Sequence, residues 1–169
     1  MTVQVILNED EVDVCRLIAN RRRNNNRNAG IKEKNLGGGK NSQTPSSKME
    51  RELNGYGAEF AFCKATNLYP EFNCSPRSGG SEIISKNKKR IDVKQTDLPN
   101  GNLITHIGKR LGEADYFVLV TGKMPIFTIV GFCKEADLIN ENNIKDLGWG
   151  PTYFLPSDDL IPFTEQFIY

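Results

Sequence analysis

Asp92 and Lys94 stand two residues apart in Arg90-Ile91-Asp92-Val93-Lys94-Gln95-Thr96. The run alternates polar and apolar with a period of two, the pattern of a half-buried strand. Ile91 and Val93 share one face, and Arg90, Asp92, Lys94 and Thr96 share the other. Residues two apart on a strand lie about 7 Å apart on one side. A carboxylate so placed can hold a divalent cation, with the ammonium beside the phosphate or water that the cation activates. An ordinary strand with a solvated outer face carries the same residues, since charged side chains lie mostly on the surface.

The neighbours favour the chemical reading. Ser81-Glu82-Ile83-Ile84 reads as a second short strand, and the polar turn Ser85-Lys86-Asn87-Lys88-Lys89 makes a hairpin of the two. Glu82 is thereby brought toward Asp92, and facing carboxylates repel unless a cation joins them. Glu59 falls on a predicted helix that Ser47 opens, with Glu50 as its capping-box partner. It lies along a stripe of Met49, Leu53, Tyr56, Phe60 and Cys63. A carboxylate there is costly unless it is paired, metal-bound or at an edge that reaches water. Gly55 and Gly57 lower helix propensity but allow a strand to approach closely.

The elements that position these groups follow from local pattern. Val3, Val5 and Leu7 alternate as a short strand, and Asn8 or Asp10 caps a helix through Val12, Cys15, Leu17 and Ile18. That helix ends in Arg21, Arg22, Arg23 and Arg27, interleaved with asparagines. Arginines complement the negative end of a helix dipole, and their guanidinium forks also match phosphate oxygens. Residues 30–47 read as a mobile basic loop. Its Gly39-Lys40 pair is no P-loop, because Lys34 and Asn41 stand where Gly and Ser or Thr are required. Pro70 closes the Glu59 helix. Residues 71–75 are predicted as a brief strand, and Arg77 in the next turn is a candidate phosphate contact. Beyond the Asp92 strand, residues 103–105 are predicted as a strand and 108–113 as a helical turn. Residues 115–121 are nearly all apolar, as in a central strand covered on both faces. Residues 126–133 form its partner strand and 134–139 a short helix. The tail packs on the sheet, with Ser157 as a cap, and Trp149 packs there or stacks on a base. His106, the one histidine, has a structural and a general-base reading.

With 169 residues, 38% of them hydrophobic, the chain is expected to be one domain with a core that needs no staples. Residues 1–47 supply the basic helix and loop, 48–139 the catalytic core, and 140–169 a packed tail. The formal charge of +1 hides an asymmetry: residues 14–53 hold ten Lys or Arg and three Asp or Glu, whereas residues 111–169 hold three and nine. A basic segment in a neutral chain points to a polyanionic partner. No apolar run approaches the ~18 residues of a membrane span, and no signal pattern opens the chain. Cys15, Cys63, Cys74 and Cys133 make no Cys-x-x-Cys pair, which argues against zinc and for free thiols in a reducing cytoplasm.

The order of helix with Glu59, strand with Glu82, strand with Asp92-Val93-Lys94 and then an apolar strand resembles the PD-(D/E)xK nuclease superfamily. The likeness spans about residues 50–133. It implies an α/β fold with a restriction-endonuclease-like αβββαβ core around a mixed central sheet. Glu59 takes the helix role, Glu82 the lone-acid role, and Asp92 with Lys94 the acid-x-Lys role. Ser81 stands where the family name has Pro, and Glu82 where Asp is usual. The Gln-x-x-x-Tyr motif of the RecB-like branch is absent, since position 99 is Pro. The chain is also similar to small nuclease-like proteins of bacteriophages in Ile91-Asp92-Val93-Lys94 and the strand 116–120, which places it in a host cytoplasm.

The resemblance implies metal-dependent hydrolysis of phosphodiester bonds in DNA, with an endonuclease the expected form. Glu82, Asp92 and Glu59 would bind Mg2+, with Mn2+ as a substitute, because hard oxygens suit these ions. Lys94 would orient the nucleophile or offset charge on phosphorus. Arg21, Arg22, Arg23, Arg27, Arg77, Lys88, Lys89, Arg90 and Gln95 would hold nucleic acid. The alternatives are an inactive nucleic-acid-binding protein on this fold, a junction-resolvase-like homodimer, and a small structural or interaction protein.

Overall fold

The structure of the protein, a computed structural model, describes residues 2–31, 45–76 and 83–164, and for residues 45–47 the backbone alone. Arg77, Glu82 and residues 32–44 of the expected basic loop lie outside the described residues.

Local signals set the ends of the two long helices. Asn8 Oδ1 accepts the Glu11 N–H at 2.9 Å, and Glu11 Oε2 accepts the Asn8 N–H at 2.7 Å. This reciprocal box starts α1 (Glu9–Asn28), whose C-terminal part is the Arg/Asn run. Helix α2 (Pro45–Thr66) starts two residues before the expected Ser47. It stops where Asn67 takes a left-handed φ of 52° and the Leu68 N–H reaches back to the Cys63 carbonyl at 2.9 Å, a Schellman-type end. Residues 71–75, predicted as a strand, have no regular structure.

The strands are β1 (Val3–Ile6), β2 (Ile83–Ile84), β3 (Arg90–Thr96), β4 (Leu103–His106), β5 (Tyr116–Lys123), β6 (Ile126–Lys134), β7 (Ile144–Asp146), β8 (Pro151–Leu155) and β9 (Ile161–Pro162). A short helix, α3 (Glu135–Leu138), follows β6 as expected. The larger sheet is mixed, with order β1-β6-β5-β3-β2 and β9 added alongside β6. The hairpin forms, Ile83 opposite Ile91 and Ile84 opposite Arg90. β3 and β5 run parallel, and β5 and β6 antiparallel. The tail does more than pack: β7 and β8 join β4 in a second, antiparallel sheet. Ser157 opens a single 3-10 turn whose cap position is Pro156.

Alternation along the larger sheet gives it two apolar faces. Ile91, Val93, Val118 and Val120 pack with Cys15 and Ile18 of α1 and Phe62 of α2. Phe117 and Leu119, on the other face, pack with Leu103, Leu138 and Leu155. The basic N-terminal helix, α2 and the larger sheet thus share one apolar cluster. On α2 Tyr56 and Cys63 of the expected stripe are buried, as are Ala58, Ala61 and Phe62 outside it, whereas Met49 of the stripe is 46% exposed. Small residues let the helix sit close, and a stripe drawn through large apolar residues alone passes over them. At Gly57 an added Cβ would lie 2.5 Å from Met124 Cε and 2.8 Å from Phe127 Cζ, while at Gly55 it would meet nothing within 4 Å.

Parallel pairing of β3 and β5 requires a crossover. Residues 97–115 make it without the second helix of an αβββαβ series: β4 and a set of turns take its place, including the turn expected to be helical at 108–113. This crossover and the second sheet cover the polar side of β3, so Asp92 is 3% exposed, unlike a residue on the solvated outer face that the alternative reading of the strand required. All four cysteines are free thiols. Burial first, with nearby carboxylates second, pushes those of Cys15, Cys63 and Cys133 up to about 12. Among the described residues no helix is long and apolar enough to cross a membrane.

Candidate active site

β3 delivers Asp92 and Lys94 to the same face, where they make contact: Lys94 Nζ lies 2.9 Å from Asp92 Oδ1. The long lysine side chain closes the distance that the strand rise sets between their Cα atoms. A third group completes the site. Lys109, from the crossover, places its ammonium 3.0 Å from Asp92 Oδ2 and 3.0 Å from Glu113 Oε2. Both ammonium groups stand 5.9 Å from the centroid of the Phe117 ring, the residue opposite Asp92 on β5. That separation is at the outer limit of a cation–π contact, so the ring chiefly excludes water.

The crossover turn is fixed by its own backbone. Glu135, at the start of α3, accepts the N–H groups of Gly112 at 2.6 Å, Glu113 at 3.1 Å and Ala114 at 3.0 Å. His106 Nδ1 accepts the Gly108 N–H at 2.9 Å, and the Lys109 N–H donates to the His106 carbonyl at 3.0 Å. The lone histidine thus braces the turn that aims Lys109. Asp115 accepts the Arg90 N–H at 2.8 Å and its Nε at 3.4 Å, and Arg90 Nη1 reaches the Gly112 carbonyl at 2.5 Å.

Two positive and two negative side chains make the cluster neutral. Burial works against the Lys109 ammonium, but Asp92 and Glu113 outweigh it and hold its pKa above the usual lysine value. The Lys109 hydrogen bond, foremost, holds the Glu113 carboxyl below the usual carboxylate range.

The remaining predicted residues divide by location. Glu59 is in the helical layer, on the face of the sheet opposite Asp92. Its Oε2 lies 3.4 Å from Arg22 Nη1, both side chains being 17% exposed. Arg22 also donates to the carbonyls of Glu71 at 2.9 Å and Asn73 at 3.2 Å, and stacks 4.5 Å from the Tyr56 ring centroid. Arg23 lies 3.6 Å from Glu52. Two of the four candidate arginines at the end of α1 therefore tie the helix to its neighbours, while Arg21 and Arg27 are exposed. Lys88 and Lys89 are exposed on the hairpin turn, Lys88 with a left-handed φ of 63° and Lys89 3.9 Å from Asp115. Arg90 is taken up by Asp115 and Gly112. Gln95 bridges Asp97 and the Gly122 carbonyl, at 2.7 Å each.

Lys109 and Glu113 escaped the sequence reading. Their four-residue spacing is a helix-pair signal in a segment that is not helical, and nothing local links them to Asp92, seventeen positions earlier.

Among the described residues no three His, Cys, Asp or Glu side chains gather as metal ligands. Asp92 alone tests the fit of a hard cation. Its Oδ2 is buried, with the Lys109 ammonium 3.0 Å away. A hard carboxylate oxygen suits Mg2+, and an ion there would have to displace an ammonium from it. The chain matches no protein-family model, no curated protein and no solved structure.

Proposed function

We propose that the protein is a metal-dependent deoxyribonuclease of the PD-(D/E)xK type that hydrolyses phosphodiester bonds as an endonuclease. One observation carries the reading: on β3, beside the β2 hairpin, a buried carboxylate and a lysine two residues apart meet at 2.9 Å. The antiparallel β2–β3 pair following α2, with β5 parallel to β3, supports a restriction-endonuclease-like core, though β4 stands in for its second helix. Asp92 and Glu82, which precedes β2 in the sequence, would hold Mg2+ or Mn2+. A bound ion supplies Lewis-acid polarisation of a phosphoryl oxygen and a more acidic water. Lys94 would orient the nucleophile or offset developing negative charge. Glu59, given the helix role by resemblance, would act at most through the sheet, since Arg22 engages it in the helical layer. Exposed Arg21, Arg27, Lys88 and Lys89 would meet the phosphate backbone, with Arg77 a further candidate.

A second reading rests on the neutrality of the same cluster. With both Asp92 oxygens facing ammonium groups, the fold would bind nucleic acid without cutting it. Supercoiled plasmid incubated with Mg2+, Mn2+ or EDTA separates the two. Cleavage that needs the ion and falls about a hundredfold or more in Asp92→Asn and Lys94→Met supports the nuclease. Retarded but uncut DNA supports the binding protein. Cleavage that survives EDTA, or either substitution, sinks the metal-site reading.

A further inference from the structure

Lys109 holds an unusual position. Its side chain is only 9% exposed, yet its ammonium bridges a nearly buried carboxylate, Asp92, and one that is 44% exposed, Glu113. Its backbone is pinned by the His106 carbonyl, and the turn beyond it by the Glu135 carboxylate. The side chain can therefore change partners while the turn stays in place. Its two contacts are equal in length, 3.0 Å each, but differ in surroundings: Asp92 is 4% exposed and Glu113 44%. A second cation arriving at Asp92 would repel the ammonium, and Glu113, one helical turn along in sequence and open to water, would retain it.

We infer that Lys109 is a latch on Asp92: it neutralises the carboxylate when no metal is bound and is displaced toward Glu113 when a divalent cation binds. This rests on the metal-binding reading of Asp92 and makes Lys109 a positioning residue. Displacement sets the ion concentration at which the site loads and avoids a bare buried carboxylate before loading. It also adds exposed positive charge at the site as the ion enters, where a phosphodiester would be met.

The test uses the full chain. Melting temperature is followed against Mg2+ concentration for wild type, Lys109→Met and Glu113→Gln, since a ligand of the native state raises it. In parallel, wild type is treated with an amine-acylating reagent with and without Mg2+, and labelling at Lys109 is read by mass spectrometry. The latch requires the Mg2+ midpoint to fall about tenfold in Lys109→Met, equivalent to about 1.4 kcal/mol, and to rise in Glu113→Gln. It also requires Lys109 labelling to increase in step with the wild-type transition, a change that mere loss of a positive charge near the site would not produce. The labelling arm needs no substitution, so a poorly folded variant leaves the test intact. If wild type responds to Mg2+ while Lys109 labelling stays flat, the latch is wrong and the metal reading stands. If only Lys109→Met responds, Lys109 blocks the site instead of yielding to the ion, and the latch is wrong. If neither responds, both are wrong.

Discussion

Asp115 accepts both the backbone N–H and the guanidinium Nε of Arg90, at 2.8 and 3.4 Å. The contact ties the first residue of β3 to the residue before β5, so it sets where the two parallel strands begin. It also fixes the crossover between them, because Arg90 and Gly112 are joined as well. The hydrogen bond from the Arg90 backbone, more than the nearby charges, holds the Asp115 carboxyl below the usual aspartate range. A lowered native pKa stabilises the fold above the unfolded value, near 3.9, and that contribution is lost as pH falls through the native value. Asp115→Asn should cost about 1 kcal/mol at neutral pH and flatten the acid limb of stability below about pH 4. Urea unfolding across pH 2–7 checks both.

The Asp92–Lys109 pair should show strong energetic coupling. Asp92→Asn leaves the Lys109 ammonium in a dry site with Glu113 alone, at a cost of about 2–4 kcal/mol. Adding Lys109→Met removes the stranded charge and should recover part of the loss. A coupling energy of at least ~1 kcal/mol in a double-mutant cycle is the expected result, and additivity would show that the contact is weak. The native Lys109 pKa lies above the ordinary 10.5. Its stabilisation is therefore complete below that value and disappears as pH climbs through the native one, so wild type should lose more stability than Lys109→Met in strong alkali.

Arg22 and Arg21 are adjacent in sequence and should fail differently. Arg22→Met removes a partner of Glu59 and the donor to residues 71 and 73, with an expected loss of about 1–3 kcal/mol and faster amide exchange over residues 71–76. Lysine should restore little, because one ammonium cannot reproduce the guanidinium fork. Arg21→Ala should change stability by no more than about 0.5 kcal/mol. If Arg21 meets a phosphate, the substitution should weaken DNA binding and make the salt slope about 0.9 shallower. Unfolding curves and binding isotherms at several salt concentrations decide.

Two glycines two residues apart in α2, Gly55 and Gly57, make a matched pair. Alanine at 55 meets open space and should stabilise the helix by about 0.5–1 kcal/mol. Alanine at 57 drives a methyl toward Met124 and the buried Phe127 ring. Methionine can move aside and the ring cannot, so the net loss should be about 1–3 kcal/mol. Thermal melts of both variants settle the sign at each position.

How much of this was legible follows from how far each interaction reaches along the chain. The β3 alternation, the β2–β3 hairpin, the apolar run of β5 and the helix stop near Asn67 are decided by residues within a few positions of one another, and the sequence alone determined them; between Asn8 and Asp10 as the α1 cap, the structure chose Asn8. It also determined that Asp92 and Lys94 face the same way, since side chains two apart on a strand have no alternative. β8 lacked a clean period because only Thr152 and Leu155 of it are buried, and its pairing with β4 depends on a partner some fifty residues away.

What only the tertiary structure decided is which charges meet. Arg22 reads as a phosphate contact until Glu59, Glu71 and Asn73 surround it. Asp92 reads as a metal-holding carboxylate or a solvated strand residue, and only the crossover that covers it shows that Lys109 is a partner. Burial and ion pairing are properties of space, and a one-dimensional pattern fixes the direction of a side chain but not what it finds there.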